Sequence, residues 1–445
     1  RQRQMCIRDR RKGFRYKHLV LDMFYVRPSP GNETAAKLYA QNIFSVTRQL
    51  QYSRQNPLLA LDVCLFLNGL PIATMELKNQ LTKQNAADAV KQYKDERTPD
   101  EVLFGFKRCI VHFAVDDNEV RMCTELKGQK SWFLPFNKGY NDGAGNPPNP
   151  DGIKTDYLWK EILRKDDFSN IIENYVQIIC DEDEETHKKS YKQIFPRYHQ
   201  LQLVTSLLAD AKRDGVGKRY LIQHSAGSGK SNSIAWLAHQ LVTLKDATDH
   251  NIFDTVIVVT DRVNLDKQIR NTIRQFMQVS STVGWAKDSS ELGTLLEKGT
   301  KIIITIVHKF QFILEDISKL HTNRSFAILI DEAHSSQNGD LSTKMNIVLS
   351  GSEYDNDDLL EDKINTLIDG KKLAKNASYF AFTATPKNKT LEVFGREEIQ
   401  PDGSKRFFPH YVYTMKQAIE EHFIMDVLRY YTPVSYTHLT LPTIA

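Results

Sequence analysis

Two groups of residues in this chain have the types and spacing for phosphate chemistry. The first is Ser225-Ala226-Gly227-Ser228-Gly229-Lys230-Ser231, which follows the apolar run Tyr220-Leu221-Ile222 and precedes Ile234, Leu237, Ala238, Leu241 and Val242 at helical spacing. Gly227 and Gly229 allow a tight curl in which backbone N–H groups converge on a polyphosphate at the positive end of a helix. Lys230 adds a mobile charge that reaches terminal phosphates, and the Ser231 hydroxyl is placed to ligate Mg2+. A glycine-rich turn ahead of an ordinary amphipathic helix is the bland reading. Strand, loop, Gly-Lys-Ser and helix arriving in this order favour a nucleotide site over it. His224 stands where the pattern usually has Gly or Ala.

The second group is Asp62, Glu76 and Lys78, charges that interrupt two strand-like runs, residues 61–67 and 72–78, joined around Asn68-Gly69. Glu76 and Lys78 are two apart and share a strand face. Asp62 joins them only if the hairpin loop is odd in length, for instance Asn68-Gly69-Leu70; a two-residue loop sets it opposite Met75. The odd loop, with its bulge, is the expectation. Two carboxylates in contact repel one another and are best ionised together on a shared divalent cation, Mg2+ for such hard oxygens. That cation can polarise a phosphodiester and activate water, with Lys78 orienting or deprotonating the water or stabilising developing charge. An edge-strand salt bridge is an equally weighted alternative.

A third set closes the list of polar candidates. Asp331-Glu332 follows the apolar run Phe326–Ile330, and Thr383-Ala384-Thr385-Pro386 follows residues 379–382. Asp331 can hold the Mg2+ shared with Ser231, Glu332 can orient the attacking water, and the two threonine hydroxyls can sense a terminal phosphate. A helix N-cap is the plainer reading of the acid pair, disfavoured by the phosphate loop upstream and the apolar strand just before it, and a capped turn is the plainer reading of residues 383–386 taken alone.

The elements that must position these residues fall into two halves. Strand-like runs at 220–222, 256–260, 302–307, 326–330 and 379–382, with helical segments mostly between them, predict a parallel sheet covered on both faces. Ligands of such sheets sit at the strands' carboxyl ends. In the first half, residues 34–52 read as a helix burying Leu38, Ile43, Val46 and Leu50, and 85–97 as a helix with Ala86, Val90 and Tyr93 on one side and Gln92 beside them. Residues 102–106 and 108–115 read as strands, 141–150 as a surface loop, and 159–179 as helical. The acidic run 181–185, followed by Lys188 and Lys189, marks a boundary. The expected fold class is α/β: a mixed-sheet domain over 13–180, a linker over 181–193, and a parallel-sheet phosphate-loop domain over 194–432.

A chain of 445 residues exceeds what one core serves, and its net charge of +4 does not by itself announce a polyanionic partner. Five cysteines, odd in number and never in a metal-knuckle spacing, fit a reducing cytoplasm. No apolar run reaches bilayer-spanning length, so no membrane partner is expected. Residues 1–12 and 433–445 look foreign to the rest, like stray translated sequence.

Together, Arg197-Tyr198-His199-Gln200, the phosphate loop, Thr260-Asp261-Arg262, Asp331-Glu332-Ala333-His334 and Thr383-Ala384-Thr385-Pro386 resemble the ordered motifs of the first RecA-like lobe of superfamily 2 helicases. Residues 68–79 resemble the nuclease motif of type I restriction enzyme motor subunits, of the PD-(D/E)xK group. The resemblance implies a Mg2+-dependent DNA-cutting site at Asp62, Glu76 and Lys78. It implies that Gln200 contacts adenine, that Gly227, Ser228, Gly229, Lys230 and Ser231 bind the phosphates of ATP, and that Asp331 and Glu332 serve metal and water. His334, Thr383 and Thr385 would couple hydrolysis to movement, with Thr260 and Arg262 near the DNA track. Gln92 matches the Gln of these nucleases, while the Tyr expected four positions on is Glu96.

The implied activity is ATP-driven movement of duplex DNA with cleavage away from a recognised sequence, in a complex with specificity and methyltransferase subunits. A repair helicase-nuclease and a nuclease-silent, nucleotide-gated assembly module remain alternatives. The chain stops before a second RecA-like lobe and its arginine finger, so a fragment that binds ATP weakly and hydrolyses little is expected.

Overall fold

Asp62, Glu76 and Lys78 belong to one sheet, and the phosphate loop shares a second with Asp331 and Thr383. The computed structural model describes residues 13–16, 18–29, 31–182, 186–260, 271–275, 283–286, 289–306, 323–331 and 374–426. In the first half, β1 (Phe44–Gln51), β2 (Ala60–Leu67), β3 (Leu70–Leu77), β4 (Val111–Val115), β5 (Val120–Cys123) and β6 (Leu134–Pro135) form a six-stranded sheet in that order. Every pairing is antiparallel except β3 with β4. A parallel pair needs a crossover. Helix α2 (Ala86–Glu96) provides it and packs on β3 and β4 through buried Ala86, Ala89 and Tyr93. Asn85 starts it with a capping box, its side chain accepting from Ala87 and Asp88 N–H while Asp88 accepts from the Asn85 N–H.

The β2–β3 hairpin corrects the expected loop. Leu67 pairs with Leu70, so the loop is the two residues Asn68 and Gly69, with φ of 50° and 78°. Both are left-handed, as the mirror-image hairpin turn demands. The odd residue lies within the strand instead: Phe66 pairs with Pro71, but Leu65 pairs with Ala73 and Val63 with Met75, leaving Ile72 as the extra residue of a bulge. Pro71 has no N–H to give the ladder, which favours the break in pairing there. Continued by one residue, this register sets Asp62 opposite Glu76.

Other expectations are corrected as well. Residues 34–52 are not one helix: α1 covers Glu33–Ala40, and Ile43 and Val46, expected to be buried, are 66% and 60% exposed beside or on the edge strand β1. Helical spacing of apolar residues there coincides with an edge strand that, among the described residues, pairs on one side only. Residues 102–106 form turns that plug Leu103 and Phe104 into the core, and only Val111–Val115 of 108–115 is a strand. Residues 159–179 break into the short helical pieces Leu158–Ile162, Lys165–Asn170 and Ile171–Tyr175, followed by a strand. That strand, Gln177–Glu182, pairs with Lys189–Ile194, so the acidic run starts inside a two-stranded ribbon.

The second half contains α3 (Tyr198–Asp214), β7 (Arg219–His224), α4 (Lys230–Val242), β8 (Thr255–Thr260), β9 (Val283–Trp285), α5 (Ser289–Glu297), β10 (Ile302–Ile306), β11 (Phe326–Ile330), β12 (Ala377–Thr383), α6 (Asn388–Phe394), β13 (Tyr411–Tyr413) and α7 (Met415–Glu420). Seven of its described strands form one sheet in the order β9-β10-β8-β11-β12-β7-β13, every pair parallel, and Arg396–Ile399 pairs with Lys405–Phe408 in a separate hairpin. Alternate residues go to opposite faces. Val256 and Val258 join the core that holds α3 and α4, and Ile257 and Val259 join the one that holds Leu292 and Leu296 of α5 and Phe394 of α6. This is the doubly covered parallel sheet expected.

The core on the first of these faces continues into the first half. Phe136 lies 5.9 Å from Phe195 and 5.7 Å from Tyr198, ring centre to ring centre, and Tyr157 lies 5.3 Å from Tyr198. Trp236 of α4 donates its Nε1–H to the Tyr175 carbonyl at 2.9 Å. The loop over residues 141–150 docks on α7, Ala144 N–H donating to Glu420 Oε2 at 2.8 Å. Among the described residues no helix is long and apolar enough to cross a membrane, and Cys64, Cys123 and Cys180 are free thiols. Residues 1–12 and 433–445 lie outside the described residues.

Because Gly69 holds a left-handed φ that β-branched side chains resist, Gly69→Val is expected to destabilise the protein by about 1–2 kcal/mol. A lowered urea midpoint with an unchanged slope would show it.

Candidate functional site

The bulge brings the first carboxylates together. Asp62 is half-buried on β2, its Oδ2 accepting from Leu77 N–H at 2.9 Å and its Oδ1 from Gln49 Nε2 at 3.0 Å. Glu76 on β3 is fully buried, with Oε1 accepting from Arg97 Nε at 2.6 Å. Its Oε2 is buried and has no hydrogen-bond partner. Burial pushes the Glu76 carboxyl up to about 7 against the pull of Arg97, and the neighbouring Asp62 charge adds to the rise. Two hard oxygen donors, one of them buried and unsatisfied, fit a divalent cation. Lys78 follows β3 on the same face as Glu76, and its Nζ donates to Gln92 Oε1 at 2.7 Å.

Helix α2 divides its residues between site and core. Gln92 faces Lys78 and also donates to Glu96 Oε2 at 3.3 Å. Tyr93 is fully buried and hydrogen-bonds Thr74 Oγ1 at 2.8 Å, so it belongs to the packing beneath the site. Arg97, directly after the helix, was not singled out from the sequence. A lone Arg at a helix end ordinarily reads as a solvated partner of the helix dipole, and no periodicity marks it as buried.

The second site forms where β7 ends. Gly227 and Gly229, with φ of 72° and 88°, turn the loop into α4, whose first residues are Lys230 and half-buried Ser231. Asp331 follows β11, its N–H on the Val259 carbonyl at 2.9 Å, and its Oδ1 lies 3.2 Å from Lys230 Nζ with both side chains buried. Strand β12 lies between β11 and β7, and Thr383 pairs with Gln223. Lys230, Asp331 and Thr383 therefore meet at the carboxyl edge, where the strand order places ligands. Thr383 is buried and Thr385 exposed. Glu332, His334 and Arg262 lie outside the described residues. Thr260 is fully buried at the end of β8, with its hydroxyl donating to the Thr305 carbonyl at 3.4 Å.

Inside the phosphate loop the polar groups brace one another. Gln200 donates through Nε2 to the Gly229 carbonyl at 3.0 Å and accepts from Arg197 N–H at 3.0 Å. A Cβ on Gly229 would stand 2.5 Å from that Nε2, and one on Gly227 would stand 2.7 Å from Ile424 Cγ2. Ser228 is fully buried: its hydroxyl donates to the Ser225 carbonyl and lies 2.7 Å from His224 Nδ1. What Ser228 can offer a phosphate is its backbone. Its carbonyl accepts from Arg197 Nη1 at 3.3 Å and from His199 Nε2 at 3.2 Å, and the His199 ring stacks on Tyr413 at 3.8 Å. His224 also reaches Ser233 Oγ at 3.2 Å. Burial, with the Lys230 charge adding to it, pushes His224 down to about 3, and burial holds His199 well below the usual imidazole range. Both rings are neutral. In the sequence Arg197, His199, Gln200, His224 and Ser228 stand out as motif residues, but their spacing does not show that they brace one another.

Residues 199–441 match the family model described as SWI2/SNF2 ATPase, and residues 32–131 match the one described as type I restriction enzyme R protein N terminus. The chain is 26% identical over 376 residues to the type I restriction enzyme HindI endonuclease subunit of Haemophilus influenzae, a match covering 80% of this chain and 33% of that protein. It is 24% identical over 416 residues to the type I restriction enzyme SauMSSORF170P endonuclease subunit of Staphylococcus aureus, covering 89% and 39%. The chain thus spans roughly a third of the length of the curated relatives it matches. A solved ATP-dependent Type ISP restriction-modification enzyme, LlaBIII bound to DNA, matches 55% of this chain and 17% of that chain at 13% identity, with a TM-score of 0.34.

The two neutral histidines under the phosphate loop set a pH dependence. A histidine depressed in the folded state contributes stability that is present above its unfolded pKa and lost as pH falls through the folded one. Between pH 6.5 and about 3 His224 therefore costs stability, with a limiting slope of about 1.4 kcal/mol per pH unit. Urea midpoints at pH 7.5, 6 and 5 should fall for the wild type and fall less for His224→Asn.

Proposed function

We propose, from the premise that this chain belongs to the SWI2/SNF2 ATPase family and carries ahead of it the N-terminal domain of type I restriction R proteins, that it is the restriction and motor subunit of a type I restriction complex. In this reading it uses ATP to draw duplex DNA past itself and cuts both strands at a distance from the recognised sequence. Specificity and methyltransferase subunits read and modify that sequence, in the cytoplasm. Residues 13–180 form the nuclease, 181–193 the linker and 194–432 the first RecA-like lobe. The observation that carries the proposal is the buried, unsatisfied Oε2 of Glu76 beside Asp62, in the same chain as a phosphate loop whose Lys230 rests on Asp331.

Asp62 and Glu76 would hold Mg2+, which supplies Lewis acidity toward a phosphodiester and its attacking water. Lys78, held by Gln92, stands on the same strand face to orient that water or to offset charge developing on the phosphate. In the motor half the backbone N–H groups of Gly227, Ser228 and Gly229 would bind ATP phosphates. Lys230, 3.2 Å from Asp331, would turn to the terminal phosphates of bound ATP, and Asp331 and Ser231 would then be the oxygen groups that hold its Mg2+. Glu332 takes the role of water orienter, and His334, Thr383 and Thr385 that of coupling groups. Gln200 bonds the loop at Gly229 and is placed to link adenine recognition to the loop's shape.

Two substitutions separate the halves. Lys230→Ala should weaken binding of a fluorescent ATP analogue by roughly 1.5–3 kcal/mol, the value of one charge-assisted contact, and Lys78→Ala should leave that binding unchanged. Nicking of supercoiled plasmid in Mg2+ should be lost in Lys78→Ala. Nicking that is equal in the wild type and Lys78→Ala would remove the nuclease assignment.

A further inference from the structure

Arg97 carries a role beyond sealing the fold. Its side chain is 2% exposed and that of Glu76 0%. Three donors hold the guanidinium to groups far apart in sequence: Nε to Glu76 Oε1 at 2.6 Å, Nη1 to the Tyr52 hydroxyl at 2.9 Å, and Nη2 to the Ala60 carbonyl at 3.0 Å. The Tyr52 ring lies 5.4 Å from the guanidinium carbon and is itself braced edge-on by Phe104 at 4.8 Å. A planar fork anchored at this many points leaves the carboxylate it grips little freedom to rotate.

That grip determines which oxygen remains available. Oε1 is taken by Arg97, and Oε2 is left buried against the Asp62 carboxyl, with no nitrogen or neutral hydroxyl donating to it. A buried ion pair whose second carboxylate oxygen faces another carboxylate is weak support for stability, often no better than an apolar pair of the same volume. Stability alone therefore does not account for the arrangement. What it provides is a hard oxygen held in one place beside a second carboxylate, with a fixed positive charge at its back.

We propose that Arg97 is a positioning residue that aims Glu76 Oε2 at the divalent cation shared with Asp62, and whose charge lets the two carboxylates sit together before the cation arrives. The inference rests on the reading of Asp62 and Glu76 as a cation seat. Arg97 touches neither cation nor DNA and acts through Glu76. Lysine is a poor substitute, because one ammonium cannot hold Glu76, Tyr52 and Ala60 at once in a fixed plane.

The sign of one measurement separates positioning from plain electrostatics. Removing a positive charge from beside a cation seat tightens cation binding if charge is all that matters; removing a positioning group loosens it. Mn2+ titration of the full chain without nucleotide, read from the electron paramagnetic resonance of free Mn2+, should show about 10–100-fold weaker binding in Arg97→Met and an intermediate loss in Arg97→Lys. In a Glu76→Gln background the Arg97→Met change should cost nothing further, since the group it acts through is gone. Tyr52→Phe removes one anchor while keeping the ion pair. It should weaken Mn2+ binding severalfold and decides the matter if Arg97→Met does not fold. Binding that is unchanged or tighter in Arg97→Met, or weakened equally in both backgrounds, overturns this inference and leaves the cation seat standing. A wild type that binds no Mn2+ at Asp62 and Glu76 overturns both.

Discussion

A carboxylate taken out of water needs hydrogen-bond donors or an opposite charge in contact, and both polar centres of this chain use an opposite charge. Glu76 is enclosed completely and leans on Arg97; Asp331 is enclosed almost as fully and leans on Lys230. The partners differ in a way that matters. A guanidinium anchored to Tyr52 and Ala60 stays where it is, whereas an ammonium on a four-carbon stem can leave Asp331 for a phosphate. One centre is therefore a fixed frame and the other an exchangeable contact, a difference that fits the roles proposed for them, holding one geometry and filling and emptying with nucleotide.

Both centres also depend on backbone detail that no side-chain inventory contains. Strand side chains alternate with a period of two, so a shift of one residue moves a group to the opposite face. The single extra residue Ile72 sets the register that carries Asp62 to the Glu76 face. In the ATPase-family half the equivalent constraint is strand order. With β12 between β11 and β7, residues more than a hundred positions apart come to one edge, and the left-handed Gly227 and Gly229 turn the chain toward them.

The halves are joined by packing as well as by sequence. Phe136, Tyr157, Phe195 and Tyr198 form a continuous aromatic seam, and Tyr198 belongs to the same helix turn as His199 and Gln200, which brace the phosphate loop. The loop over residues 141–150, polar enough to read as free surface, is tied to α7 through Ala144 and Glu420. Rigid contact between the two sheets is thus made at the helix that supports the nucleotide loop.

Much of this was legible from residue order. Continuous apolar runs ending in polar residues identify a parallel sheet, and Gly-Lys-Ser after a strand identifies the phosphate loop, because in each case the chemistry is local to a few consecutive residues. Asp62, Glu76 and Lys78 could be picked out as charges inside apolar strands for the same reason. Tertiary structure decided the rest. It converted the apparent helix over residues 34–52 into a short helix and an exposed edge strand, since apolar spacing alone does not say which side has a partner. It moved the odd residue of the hairpin from the loop into the strand, and it buried Arg97 against Glu76. Which charges meet is a matter of register and enclosure, and those are set by contacts between segments that are distant along the chain.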